Sequence, residues 1–270
     1  MLSAESVTLH LGGRPILEKV DLSVGPGEFL ALVGPNGAGK SSLLRLMAGS
    51  LAPTSGRVCL DGQALDRHDP RTLACRRAVL PQSSLLNFPF TVREVVCLGR
   101  SPHRTGAARD RQVAEEVMAL AEVLPLAGRR YTELSGGERQ RVELARVLAQ
   151  IWTEPSEEPE GATPRYLLLD EPTSSLDLRH QQTVMRAARR LAVRGFGVLA
   201  VLHDLNLAAR NADRLALLAP GQNGHGGHLV RQGGPEQVLE ADLLSAVYET
   251  PVGLLSGEPG APPVILPAQA

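Results

Sequence analysis

The chain has 270 residues, 43% of them hydrophobic and 21% charged, with 28 basic against 29 acidic side chains and a net charge of −1. Such a chain can bury a substantial core, and it lacks the basic excess of a nucleic-acid binder. No apolar run approaches the roughly 20 residues that span a bilayer, and the start MLSAESVTLHLGG has no secretory signal pattern; Cys59, Cys75 and Cys97 lack paired or metal-ligand spacing and read as reduced thiols.

Short β-like runs come first: SVTLHL, ILEKVDLSV and EFLALV, the last two separated by the turn GPGE. In LEKVDLSV, Leu17, Val20, Leu22 and Val24 alternate with one slip, as on a strand with one wet face. FLALV is apolar throughout, as a strand buried on both faces would be. LVGPNGAGKSSLLRLMAG (32–49) then passes through glycines into a helix that Gly49 ends. From about 84 to 165 the pattern is helical. RDRQVAEEVMALAEVL places Val113, Val117, Leu120 and Leu124 on one face, and SGGERQRVELARVLAQIW is a second helix. WTEPSEEPEGATPR (152–165) reads as a solvated loop.

Strands and helices alternate after that: RYLLLD, LRHQQTVMRAARRLAV, GVLAVLHD and LNLAARNAD, then the strands DRLALLA and HLVRQG joined by PGQNGHGG. The Pro-rich end, about 251–270, reads as a tail lying on the surface. The alternation predicts an α/β fold with a parallel sheet. The expected organisation is one domain over 1–270, with a core of about 1–83 and 166–250 and an inserted helical part of about 84–165.

GPNGAGKS, Gly34 to Ser41, fits G-x-x-x-x-G-K-[ST] between a predicted strand and a predicted helix. Its residues Gly34, Pro35, Asn36, Gly37, Ala38, Gly39, Lys40, Ser41 and the following Ser42 form a candidate phosphate cradle. Glycines let backbone N–H groups approach phosphate oxygens, and the helix start adds its positive end. Lys40 is expected to reach the β- and γ-phosphates of ATP, and Ser41 to hold Mg²⁺. In YLLLDEP (166–172), four residues carry Asp170 to the end of a buried strand, where it can bind Mg²⁺ through water; Glu171 follows and can polarise the attacking water.

LSGGERQR (134–141) resembles the signature sequence of ATP-binding cassette (ABC) ATPases. Ser135, Gly136 and Gly137 begin a helix, a second anion site on the same chain, and S-x-x-E is also a capping box through Glu138. The resemblance implies a P-loop NTPase with a RecA-like core, N-terminal antiparallel strands and an inserted α-helical subdomain. It implies a head-to-tail homodimer in which Ser135, Gly136, Gly137 and Asp177 of SSLD (174–177) serve the ATP of the other subunit. Gln82 of LPQ would sense Mg²⁺ and water, and His203 of LHD would contact the γ-phosphate. The family stacks adenine on an aromatic ring. Here that position is Leu11, with His10 beside it, so weaker stacking is expected and Leu11→Tyr tests it through ATP affinity.

A cassette without spans implies a separate permease, in two copies, at the cytoplasmic face of a bacterial inner membrane. SSLLNFPFTVREVVCLGRSPH (83–103) resembles importers of iron chelates, haem and cobalamin, which makes Phe88, Phe90 and Val92 candidates for an apolar docking cleft, or for packing of the helical part on itself. The Pro/Glu-rich extension before Asp170 resembles the ATP-binding subunit of haemin importers, implying a periplasmic haem-binding protein as an indirect partner and no nucleic acid. Ferric-siderophore or cobalamin import is the alternative cargo, and a non-transport ABC ATPase the alternative class. Asp177 and His180 are not read as haem ligands, since cargo would pass through the permease.

Overall fold

Two long strands open the chain, β1 (Leu2–Leu11) and β2 (Arg14–Val24), paired antiparallel around the turn at Gly12 and Gly13. The slip in the β2 pattern is a bulge. The register passes from Val7↔Val20 to Leu9↔Leu17, with Lys19 at φ 46. Lys19 N–H donates to Thr8 Oγ1 at 3.1 Å, and Leu17, Val20, Leu22 and Val24 all stay buried. The computed structural model describes residues 1–82, 88–153, 163–174, 176–222, 225–255 and 262–267. The loop 154–162, residues 83–87 of the 83–103 stretch, and Ser175 of SSLD lie outside the described residues.

Next come β3 (Phe29–Val33), α1 (Lys40–Met47), β4 (Ser55–Leu60), β5 (Gln63–Ala64), α2 (Pro70–Arg76) and β6 (Arg77–Leu80). Three helices follow: α3 (Val92–Leu98), α4 (Ala107–Leu120) and α5 (Gly136–Ile151). Then come β7 (Tyr166–Asp170), α6 (Leu178–Val193), β8 (Gly197–Val201), α7 (Leu205–Asn211), β9 (Arg214–Ala219), β10 (His228–Gly233), α8 (Pro235–Val238) and α9 (Ala241–Tyr248). The chain closes with β11 (Val252–Leu255) and β12 (Val264–Pro267).

A six-stranded sheet, ordered β10-β9-β3-β8-β7-β6, forms the centre, and all its neighbours but β9 and β10 are parallel. A four-stranded antiparallel sheet, β2-β1-β4-β5, lies beside it. Every residue of β3, β7 and β8 is buried, as their unbroken apolar runs require. Because side chains alternate along a strand, each feeds two cores. Phe29, Ala31 and Val33 join α3 to α7, while Leu30 and Leu32 join α1 and the antiparallel sheet. Each fully buried leucine there contributes about 1.5–3 kcal/mol relative to exposure.

Three expectations change. Helix α4 stops at Leu120 rather than running on to Leu124, because Glu122 takes a left-handed φ of 56 and Leu124 is left exposed. Val92 is fully buried at the start of α3, beneath a capping box of Thr91 and Glu94, so it is core and not a docking cleft. Phe88 and Phe90 are exposed, their ring centroids 5.9 Å apart. The Pro-rich end is more than a surface tail. Strands β11 and β12 pair from Val252↔Pro267 to Leu255↔Val264, and Val252, Leu254 and Ile265 pack against the core.

Candidate functional site

The parallel strands end side by side. Asp170 pairs with Val201 and Leu80 with Leu169, while Leu202 N–H donates to Leu32 O at 3.1 Å. The residues just beyond these ends therefore gather at the carboxyl edge of the sheet, where open α/β sheets bind ligands. Gly34 leaves β3 at φ 142, and a β-carbon there would stand 2.1 Å from the Leu218 carbonyl oxygen of β9. Gly39 has φ 86, and its β-carbon would stand 2.5 Å from Leu17 Cδ2 of β2. The loop is thus pressed between two strands, which only glycine permits.

Lys40 is 5% exposed, and its Nζ donates to Gly34 O at 2.7 Å and Pro35 O at 2.8 Å. Burial pulls its ammonium below the ordinary pKa, against the Glu171 and Asp170 carboxylates. Gly39 caps α1 without a side chain, so no side-chain oxygen competes for the amides that follow it. An open pocket of about 300 Å³ lies here, lined by Ile16, Asn36, Gly37, Gly39, Lys40, Ser41, Ser42 and Glu171.

Ser41 Oγ donates to Asp170 Oδ1 at 2.8 Å. Asp170 is 3% exposed, and burial raises its carboxyl above the usual range although the Ser41 bond pulls the other way. A buried carboxylate beside a hydroxyl is a hard oxygen donor set that fits Mg²⁺. Glu171 takes a left-handed φ of 50 as β7 ends. Its Oε2 accepts from Gln82 Nε2 at 2.7 Å and its Oε1 lies 2.6 Å from His203 Nε2. Sequence-distant Gln82, Glu171 and His203 are thus one cluster, at one end of the pocket from which Ile16 marks another side.

The other predicted residues stand apart. Ser135 caps α5 and accepts from Glu138 N–H at 3.3 Å, while Ser135 N–H itself donates to Glu138 Oε2 at 2.8 Å. The free amides of that turn are therefore those of Gly136 and Gly137, and not that of Ser135. Asp177 caps α6 by accepting from His180 N–H at 2.9 Å, and it pairs with His180 Nδ1 at 2.7 Å. Beside it Leu178 is 81% exposed. Leu11 is exposed and pairs with Arg14 at the hairpin end.

Two contributors escape sequence reasoning. Ile16 carries no motif, yet it lines the pocket. Gly227, at the end of the stretch PGQNGHGG, is a backstop for the cradle: its N–H donates to Ile16 O at 2.9 Å, and a β-carbon there would stand 2.2 Å from Ala38 O. The glycine content of that stretch is the one signal that such a close approach leaves in the sequence.

The ABC transporter family profile matches residues 17–174. The chain is 54% identical over 250 residues to "Hemin import ATP-binding protein HmuV" of Gloeobacter violaceus, covering 92% of this chain and 87% of that one. Among solved structures it resembles an inward-facing putative metal-chelate type ABC transporter, with a TM-score of 0.76 and 25% identity over 99% of this chain and 97% of that one. It also resembles a dimeric ATP-binding cassette in a post-hydrolysis state bound to ADP and phosphate, with a TM-score of 0.70 and 27% identity over 87% and 98%.

Proposed function

The chain belongs to the ABC transporter family, and from this premise we propose that it is the ATP-hydrolysing subunit that powers haemin import through a separate permease. Glu171, held between Gln82 and His203 at the mouth of the phosphate pocket, is the observation that carries the catalytic reading. The cargo rests on the haemin-import relative. Among the described residues no helix is long and apolar enough to cross a membrane, in keeping with a permease on other chains.

ATP lies along the cradle Gly34–Ser42, its phosphates facing the amides at the start of α1. Lys40 Nζ gives up its bonds to Gly34 O and Pro35 O for phosphate oxygens, and the carbonyls that hold it now keep the ammonium in place beforehand. Ser41 and Asp170 would hold Mg²⁺, which offsets phosphate charge. Glu171 accepts the proton of the attacking water, and Gln82 and His203 fix its two oxygens so that one faces the pocket. His203 then meets the γ-phosphate side.

Two copies assemble head to tail. Gly136, Gly137 and Asp177 of one copy close over the ATP of the other, and Leu178 loses its exposure at that seam. Closure pulls on the permease, and hydrolysis resets it. The subunit works at the cytoplasmic face of a bacterial inner membrane, and a periplasmic haem-binding protein supplies the cargo to its permease. Glu171→Gln should keep ATP binding and lose at least about a hundredfold in turnover; a wild-type rate would remove Glu171 from this role. A deletion strain given haemin as sole iron source should fail to grow. Growth on haemin with failure on a ferric siderophore would keep the ATPase and change its cargo.

A further inference from the structure

The C-terminal hairpin and the loop that carries His203 meet at one side chain. Asn206, in the first turn of α7, donates from Nδ2 to Ile265 O at 3.0 Å and accepts at Oδ1 from Ile265 N–H at 2.8 Å. An amide side chain paired with both backbone groups of one residue imitates the double bond of neighbouring antiparallel strands.

Helix α7 is short: it buries Ala208 and Ala209, and its Leu205 and Leu207 are partly buried against the large core. Asp204 caps it by accepting from Asn206 N–H at 2.8 Å and Leu207 N–H at 3.0 Å. His203 lies between that cap and the end of β8, so the ring follows wherever α7 goes. The hairpin is anchored in the same way: Val252, Leu254 and Ile265 are partly buried against the large core, and Val252 N–H donates to Ser245 Oγ of α9 at 2.9 Å.

We propose that Asn206 is a positioning residue for His203: by tying α7 to β12 it holds the histidine against Glu171. This rests on the role of His203 given above. The test is steady-state ATPase kinetics of the full chain, of Asn206→Ala, of Asn206→Asp, of a truncation after Glu249, and of Asn206→Ala in the truncated chain, with His203→Ala as reference and thermal unfolding as the check of folding.

Asn206→Ala should lower kcat about tenfold, the scale of two neutral hydrogen bonds, and leave KM for ATP within about twofold. Asn206→Asp keeps the acceptor for Ile265 N–H but sets a carboxylate oxygen against Ile265 O, so its kcat should fall at least as far as in Asn206→Ala. The truncation removes the Ile265 contact together with the apolar contacts of the hairpin, so it should lower kcat at least as far as Asn206→Ala, and adding Asn206→Ala to it should lose nothing more, because that contact is already gone. Additive losses, or equal changes in kcat and KM, would mean general loosening and overturn the proposal. Wild-type kcat in Asn206→Ala beside an inactive His203→Ala would overturn it as well. Wild-type turnover in His203→Ala would instead overturn the role of the histidine, and this proposal with it.

Discussion

Gly34 and Gly39, in the loop before α1, are hemmed in by their own chain; Gly136, at the start of α5, is not, although a β-carbon at Gly137 beside it would stand 3.3 Å from Leu176 Cδ2. A β-carbon at Gly34 or Gly39 would collide with Leu218 or Leu17, whereas one at Gly136 would meet nothing within 4 Å. Ala is the better helix former by about 1 kcal/mol, so a glycine in open space at a helix start needs a reason outside the chain. The side-chain contacts differ in the same sense. Ser41, Asp170, Gln82, Glu171 and His203 bond to one another across the sequence, while Ser135 and Asp177 bond to Glu138 and His180 three residues away. One candidate anion site is completed by the fold, and the other, as proposed above, is presented for a second copy.

The largest test of that difference mixes two defective proteins. Lys40→Ala damages the cradle, and Gly136→Asp places a carboxylate at the presented helix start; each alone should lose about a hundredfold or more in turnover. Mixed in equal amounts, half the dimers carry one site with both halves intact, so turnover should return to about a quarter of wild type. No recovery would mean that the two halves work within one chain, and the comparison would break.

A second test sets the glycines against each other. Gly34→Ala should cost several kcal/mol of stability, because the left-handed backbone and the Leu218 carbonyl leave the side chain no room. Gly136→Ala should stabilise the chain by about 0.5–1 kcal/mol, read as a higher urea midpoint, and still lower ATPase turnover at least tenfold. Full turnover in Gly136→Ala would make the open space incidental.

The smallest effect is in pH. Ser135 N–H, with the Ser135 hydroxyl, holds the Glu138 carboxyl below its ordinary 4.5. A carboxyl lowered on folding stabilises the fold above the unfolded value and loses that contribution as pH falls through the folded value. Glu138→Gln should therefore cost about 0.5 kcal/mol or less at neutral pH, with the difference in urea midpoint closing below about pH 4. Gly39 has no side chain, so α1 has no such acid-sensitive cap. A difference that persisted unchanged into acid would show the α5 cap to depend on something other than this carboxylate.

Much of this contrast is legible from residues alone, and unevenly so. The cradle is, because phosphate chemistry constrains four positions within eight consecutive residues, and the slip before Val20 already marks the bulge of β2. The signature turn is legible as an anion site, but the use of the Ser135 amide by Glu138 follows only from the capping geometry. The hairpin at the end is not legible. Its composition is that of a loop, and its partners are distant in the chain: the core that Val252, Leu254 and Ile265 pack against, and an asparagine 59 residues earlier. Ile16 fails for the same reason: an apolar residue on a strand carries no mark of the pocket it faces.

The central sheet divides the interior so completely that neighbours along β3 belong to separate compartments. Leu30 shares its compartment with Leu44 and Leu199, and Ala31 shares its own with Val95 and Leu144. A change of volume at position 30 is therefore open to compensation from 44, or from 199 more than a hundred residues along the chain, and closed to compensation from the very next position. Among relatives of this protein, substitutions at 30 and 31 should drift independently, each in step with partners the other never meets.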